Sequence, residues 1–165
     1  MREGVRRMYT DNEDVIYYLT VQNETYAMPP MPEGVEEGVL RGLYRFREAG
    51  VKEGEAVHAH LLASGSIMQE ALKAQRILEE DYAVAAEVWS VTSYQQLYRE
   101  ARRCTRQNRF NPRGKKVLPY LTQALEGSEG PVIAASDWIS ELPQIVSDFI
   151  PNNFVVLGTD GFGRS

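Results

Sequence analysis

Cysteine is almost absent from this sequence, and long apolar runs are absent altogether. Cys104 is the only cysteine among 165 residues, so no disulfide can form within the chain. Such sparing use of cysteine is typical of a reducing compartment, and we expect a cytoplasmic protein. No apolar run approaches the roughly 20 residues that a helix needs to cross a bilayer. The amino-terminal stretch MREGVRRMYT also lacks the apolar core of a secretory signal, so we expect no membrane partner.

Excess positive charge and histidine are also lacking. The chain has 18 lysines and arginines against 23 aspartates and glutamates, a formal net charge of -5, and two histidines. Without an overall basic field the sequence offers no general attraction for polyanions, and we expect no nucleic-acid partner. Hydrophobic residues make up 43% of the chain and charged residues 25%, which is typical of a soluble globular domain with a real core.

The first third of the chain suggests a junction between two domains. Residues 2–9 read as the end of a helix, and the β-branched and aromatic run 15–21 predicts a strand that is covered on both faces. The proline-rich stretch 28–32 cannot continue a helix or an interior strand, so it predicts a stiff connector. The chain opens inside a helix and closes on a glycine-rich loop at 158–165, and we therefore expect a fragment of a longer protein.

The stretch 34–47 predicts a helix. Two glutamates, Glu36 and Glu37, lie in its first turn, where the helix dipole favours negative charge. Its apolar residues recur at helical spacing and would share one face: Val35, Val39, Leu43 and Phe46.

Beyond residue 50, strands and helices alternate. Apolar runs predict strands at 57–63, 85–91, 131–135 and 154–157. Amphipathic stretches predict helices at 67–81, 94–106 and 119–125. Ser140 is the expected N-cap of a further helix, whose inward stripe is Trp138, Leu142, Ile145, Val146 and Phe149. The alternation predicts an α/β fold, a mostly parallel sheet flanked by helices.

Few residues suggest chemistry of their own. His58 and His60 lie two apart on one predicted strand and so share a face, which would suit a metal pair or an acid–base group. No nearby cysteine or spaced carboxylate completes a metal set, so two structural histidines are the preferred interpretation. Cys104 lies among arginines that would lower its thiol pKa, but no base to relay its proton is identifiable. We therefore predict no catalytic residue and no metal ligand in this chain.

Two glycine-bearing turns, 64–66 and 158–163, follow predicted strands. Backbone N–H groups at such turns can hold a phosphate, but neither turn matches a nucleotide-binding motif, and tight turns are a general need of α/β domains. Asp160 and Arg164 are the polar groups of the second turn. A loop at the carboxyl ends of parallel strands can carry function, and a plain loop is the alternative.

One stretch of the chain is markedly basic. Between residues 99 and 116 it has eight cations and one acid, Glu100. It lacks an aromatic platform for bases, so a solvated face or a protein interface fits better than nucleic acid. Four arginines share a broad helical face near Phe110 and are the candidate partner-binding residues: Arg99, Arg102, Arg103 and Arg106.

Four passages carry a resemblance to a known family: MREGVRRMY, VIYYLTVQNETYAMPPMPEGVEEGVLRGLYRF, LLASGSIMQEALKAQRILEEDYAVAAEVWSVTSYQQL and VLGTDGFGRS. They resemble the E1 component of the pyruvate dehydrogenase complex, in the single-chain homodimeric form found in many bacteria. The resemblance implies that residues 1–28 end a pyrimidine-binding middle domain and that 29–33 are a linker. Residues 34–165 would then be a transketolase-type C-terminal domain, truncated at its C-terminus.

The resemblance also implies a function for the parent protein. That enzyme decarboxylates pyruvate on thiamine diphosphate with Mg²⁺ and transfers the acetyl unit reductively to a lipoyl group of its E2 partner. The family's catalytic, cofactor and metal residues lie in its first two domains, so none carries over to this chain. We expect the segment alone to be inactive and to serve homodimer contacts and E2 docking. The alternative is a stand-alone α/β binding or interaction module unrelated to thiamine enzymes, which a reading frame of about this length would favour.

Overall fold

The computed structural model of the chain describes residues 1–21, 23, 25–50 and 57–161. In chain order the strands are β1 (Leu43–Arg47), β2 (Val57–Ala63), β3 (Val84–Val91), β4 (Val132–Ala135) and β5 (Phe154–Leu157). The α-helices are α1 (Arg2–Val5), α2 (Glu36–Arg41), α3 (Ile67–Tyr82), α4 (Tyr94–Phe110), α5 (Tyr120–Ala124) and α6 (Glu141–Gln144). A wider helical turn, Arg6–Thr10, follows α1, and a short 3-10 turn, Ser147–Phe149, follows α6. No helix in these ranges is long and apolar enough to cross a membrane.

The strands form one sheet in the order β1-β3-β2-β4-β5. β2 lies at the centre and pairs in parallel with both β3 and β4, and β5 pairs in parallel with β4. Of the described strands, β1 is the one that runs antiparallel, along the outer edge of β3. The predicted mostly parallel sheet is therefore confirmed, and β2 to β5 lie where the apolar runs predicted strands.

The sheet separates two apolar cores, because side chains alternate between its faces along each strand. On one face, Met68 and Ala71 of α3 pack with Leu61 and Val88 of the sheet. The other face lies beneath α4, α5 and α6, and the fully buried side chains of that core include Leu43, Leu62, Leu97, Leu121, Leu125, Val132 and Val146. Cover on both faces explains why the central strands are almost continuously apolar.

The predicted helix over 34–47 is wrong in its second half. α2 ends at Arg41, and Gly42 follows with φ +105°, a left-handed conformation that glycine adopts without strain. Leu43 then begins β1. In the sheet, Leu43 and Phe46 belong to separate cores on opposite faces. The two residues therefore do not share the apolar helix face that their spacing predicted.

The predicted strand over 15–21 does not form. These residues have no regular structure, and three of its apolar side chains are 87% to 95% exposed: Ile16, Tyr18 and Val21. A strand needs a neighbour to satisfy its N–H and C=O groups, and none of the described strands pairs with this run. The helical start of the chain is confirmed, and there Gly4 lies against the ring of Tyr17.

The segment around α6 follows its prediction in part. Ser140 is the residue at the helix N-terminus, as expected, and Pro143 lies in the first turn, where its missing N–H is tolerated. Val146 of the predicted inward stripe is fully buried. Trp138, however, precedes the helix and is 51% exposed, so it belongs to the loop after β4 and not to the core.

Candidate functional site

Helix α4 carries the candidate partner-binding residues. Ser93 caps its N-terminus by accepting a hydrogen bond from the Gln96 backbone N–H at 3.1 Å. Its inner face is fixed by four buried side chains: Tyr94, Leu97, Ala101 and Cys104. The helix extends to Phe110, beyond the predicted end at residue 106, so Phe110 belongs to the same rigid element as the arginines.

The face of α4 opposite this buried side is cationic and exposed. At about 100° per residue, the positions opposite the core are Arg99, Arg102, Arg103, Arg106, Arg109 and Phe110. All six are exposed, and Phe110 is exposed by 79%. We call these six residues the α4 outer face. The four candidate arginines do share it, whereas their binding of a partner stays a prediction.

Within the described part of the chain, no cation of the outer face has an ion-pair partner. The one acid of the basic stretch, Glu100, is directed towards α5 and α2. Its carboxylate accepts a hydrogen bond from the Tyr120 backbone N–H at 3.0 Å and lies 3.7 Å from an Arg41 guanidinium nitrogen. The outer face therefore presents positive charge that this part of the fold does not neutralise.

Two guanidinium groups of the outer face lie over aromatic rings. The Arg106 Cζ atom is 5.5 Å from the centre of the Phe110 ring, and the Arg102 Cζ atom is 6.0 Å from the centre of the Tyr98 ring. Contacts at this distance are weakly attractive, because the ring face carries partial negative charge. They favour defined positions for two otherwise solvated side chains.

Cys104 lies on the inner face of α4 and is not activated. Burial raises the pKa of its thiol, and the nearby Glu100 carboxylate raises it further, against a smaller opposite effect of Arg103. The expected net lowering of this pKa is therefore wrong, because burial and the Glu100 carboxylate outweigh the effect of Arg103. A thiol held in its protonated form is a poor nucleophile.

His58 and His60 line an open cleft of about 820 Å³ on the sheet face that α5 covers in part. His60, on β2, is 4% exposed, and its ring contacts both β3 and the loop before β4. Nδ1 lies 3.1 Å from Glu87 Oε2, and Nε2 lies 3.0 Å from the Glu129 carbonyl oxygen. Both partners offer an oxygen acceptor, so a ring nitrogen that carries a hydrogen donates it to the oxygen it faces. This geometry makes His60 a cross-link between β2, β3 and the loop before β4.

Glu87 is the centre of this polar cluster. Its other oxygen accepts a hydrogen bond from Arg45 at 3.0 Å, and Arg45 also pairs with Glu48 at 2.9 Å. The hydrogen bond with His60, and then the Arg45 guanidinium, hold the pKa of the Glu87 carboxyl below its usual range. His58 is half-buried on the same strand face and has no such contact among the described residues. Those residues also contain no group of three side chains that could hold a metal ion.

Sequence reasoning missed the pair formed by His60 and Glu87. The two residues are opposite one another because β2 and β3 pair in parallel in this register. The available signal was Glu87 itself, an acid inside the otherwise apolar run AAEVWSV. An acid in an otherwise apolar strand needs a charged or hydrogen-bonding partner. In this sheet, neighbouring strands supply that partner through His60 and Arg45.

Asp160 fastens the terminal loop to the start of α6. Its carboxylate accepts a hydrogen bond from the Ser140 hydroxyl at 2.6 Å and another from the Ser140 backbone N–H at 2.7 Å. These two bonds lower the pKa of Asp160. The contact supports the plain-loop interpretation of residues 158–161, and Arg164 lies outside the described residues. The other glycine turn, 64–66, leads directly into α3.

The chain matches a known domain family over most of its length. The family model described as the transketolase-like TK C-terminal domain matches residues 42–165. Proteins named pyruvate dehydrogenase E1 component match the whole chain, with 41% identity over 165 residues in Cupriavidus necator and 42% over 167 residues in Mycobacterium tuberculosis. The same name belongs to an Escherichia coli K12 protein that is 40% identical over 167 residues. The chain spans 18% of the length of each of these three relatives.

Among solved structures, the chain is similar to a transketolase from Campylobacter jejuni subsp. jejuni. The similarity covers 82% of this chain and 16% of that chain, at 24% identity and a TM-score of 0.46. The family model begins at Gly42, the junction of α2 and β1, and so includes β1 to β5 and the α4 outer face. The chain belongs to the transketolase-like TK C-terminal domain family.

Proposed function

We propose that this chain is a C-terminal part of a cytoplasmic pyruvate dehydrogenase E1 component. The main support is its 40% to 42% identity, along its whole length, with proteins of that name. The matched length includes residues 1–41, which precede the family domain. The parent enzyme decarboxylates pyruvate and reductively transfers the acetyl unit to the lipoyl group of an E2 partner.

The proposed parent has a domain junction within this chain. Residues 1–28 end its pyrimidine-binding domain, 29–33 are the linker, and 34–165 belong to the C-terminal domain. The run 15–21 supports this division, because it is apolar yet largely exposed, which suits a strand whose neighbours lie in another part of the parent. A hydrogen bond from Gln69 Nε2 to the Ala27 carbonyl oxygen, 3.1 Å long, ties the junction to α3.

The described residues do not suit the cofactor of the proposed parent. Thiamine diphosphate supplies the electron sink for decarboxylation when it is bound together with Mg²⁺. In the described ranges, no three metal-ligating side chains lie together, and the turn at 64–66 has no phosphate-binding motif. We therefore propose that residues elsewhere in the parent hold the cofactor, and that this segment is structural, contributing to homodimer contacts and E2 docking.

The isolated chain is expected neither to bind thiamine diphosphate nor to turn over pyruvate, because its described residues gather no metal-ligating group and the turn at 64–66 has no phosphate-binding motif. Isothermal titration of the chain with thiamine diphosphate and Mg²⁺ checks this, with the complete E1 polypeptide as the positive control. The expected result is heat of dilution only. Tight, Mg²⁺-dependent binding to the isolated chain would contradict the structural role.

Charge reversal on α4 in the complete enzyme is expected to weaken E2 association. Replacing Arg102, Arg103 and Arg106 by glutamate removes three exposed cations that lack an ion pair in the described structure. We expect the Kd for E2 to rise about tenfold or more, chiefly through slower association. Biolayer interferometry with immobilised E2 measures both rates, and unchanged values would remove α4 from the docking role.

A further inference from the structure

We propose that the α4 outer face binds an acidic protein segment that also carries an apolar side chain. The inference rests on the docking role proposed above and adds the chemistry of the partner. The surface consists of Arg99, Arg102, Arg103, Arg106, Arg109 and Phe110.

Charge complementarity points to an acidic partner. The chain as a whole has a net charge of -5, yet residues 99–116 have eight cations and one acid. That acid, Glu100, is already bonded to the Tyr120 N–H and lies beside Arg41. Arginines of the outer face are three or four residues apart, and like charges at this spacing on a helix repel one another. An acidic segment on this face relieves the repulsion and meets donors that have no other ion pair in the described structure.

The aromatic ring of Phe110 adds an apolar point to the cationic surface. It is 79% exposed at the end of α4, with the Arg106 guanidinium over its ring and Arg109 beside it in sequence. An exposed ring bordered by charges matches the usual arrangement of an interface, an apolar contact within a polar rim. The contact of Arg102 with Tyr98 also orders a guanidinium before binding, which lowers the entropy cost of association.

The size of the surface sets the length of the partner segment. From Arg99 to Phe110 the helix rises about 16 Å, because each residue adds about 1.5 Å. An extended chain covers that distance with about five residues. The partner therefore needs a short acidic stretch with one apolar residue near the Phe110 end.

Two other anionic partners fit the surface less well. Single-stranded nucleic acid needs successive aromatic side chains on which bases can stack, and the outer face offers Phe110 alone. An anionic membrane surface needs a broad apolar helix face beside the charges, and the inner face of α4 is already buried in the core. An acidic protein segment needs neither feature.

A fluorescent peptide tests the proposal. The probe is a peptide of about six residues, in which a run of glutamates ends in a single leucine. It is compared with a version in which serine replaces the leucine, and fluorescence anisotropy reports binding to the full chain. We expect the leucine peptide to bind more tightly, and its affinity to fall between about 50 and about 200 mM salt. R102E/R106E is expected to weaken binding about tenfold or more, and F110A to abolish the preference for leucine.

The matched control is R47E/R76E, which makes the same change in net charge at two exposed arginines on β1 and α3. Equal weakening by R47E/R76E and R102E/R106E would overturn the proposal, because the attraction would then be general. Tighter binding of oligouridylate or of phosphatidylserine vesicles at the same salt would overturn it as well. Circular dichroism melts confirm that each variant is folded.

Measuring both E2 association and peptide binding for these variants distinguishes a failure of the proposed partner chemistry from a failure of the proposed docking role. If R102E/R106E weakens E2 association in the complete enzyme but the acidic peptide does not bind, the partner chemistry proposed here is wrong and the docking role stands. If the peptide binds the outer face as expected but E2 association is unchanged, the docking role is wrong and the surface serves a different acidic partner.

Discussion

A single imidazole, that of His60, joins three elements of this fold. Its ring nitrogens contact the Glu87 carboxylate and the Glu129 carbonyl group. The alternation of side chains along a strand was enough to predict that His58 and His60 share a face. Which of them is buried could not be predicted, because that depends on the register of β2 against β3 and on the loop that covers the sheet.

Replacing His60 by leucine is expected to lower the free energy of unfolding by about 2 to 4 kcal/mol. The change leaves the Glu129 carbonyl without its donor and leaves the partly buried Glu87 carboxylate with Arg45 alone. His58→Leu is the matched control, since His58 is half-buried on the same face without a described hydrogen bond, and it should cost no more than about 0.5 kcal/mol. Urea unfolding followed by circular dichroism measures both. Similar losses in the two variants would contradict the cross-linking role.

The helices and strands whose bounds could be predicted are those marked by a local pattern of apolar residues between turns. β2 and α3 fall at or within one residue of their predicted bounds, because an apolar run or a helical stripe between turns specifies each of them. The run 15–21 was mispredicted because a strand exists only with a neighbour. The end of α2 was missed because it depends on the backbone conformation of one residue, Gly42.

Replacing Gly42 by alanine is expected to destabilise the fold by about 1 to 3 kcal/mol. A Cβ atom there would lie 2.7 Å from the Ser93 carbonyl oxygen and 3.1 Å from Leu97 Cγ, in addition to the strain of φ +105°. Gly34→Ala is the matched control, since Gly34 has φ +74° but nothing within 4 Å of the added atom. Thermal unfolding compares the two variants. Equal losses would show that the contact with Ser93 is unimportant.

Across the whole molecule, charge is distributed unevenly. A chain of net charge -5 has five of its 18 lysines and arginines on one helix, α4. Four of these five arginines were predictable from helical spacing. Arg109 and Phe110 were left out of the predicted surface, because the helix was expected to end at residue 106. That no described residue forms an ion pair with this face could not be predicted, because it depends on the direction of Glu100. Contacts of Glu100 with α5 and α2 determine that direction.

The cross-link at His60 also bears on the order in which the molecule folds. Along the chain, His60 meets Glu87 at a separation of 27 residues and Glu129 at a separation of 69 residues. Closing the longer loop costs roughly 0.8 kcal/mol more in chain entropy. The contact with Glu129 also forms only after the chain has crossed from β3 to the far side of β2, because β4 lies on that side. We therefore expect β2, α3 and β3 to pair first, with β4, β5 and the loop at 126–130 joining afterwards. Pulse-labelling hydrogen exchange during refolding checks this order, and earlier protection of β4 than of β3 would contradict it.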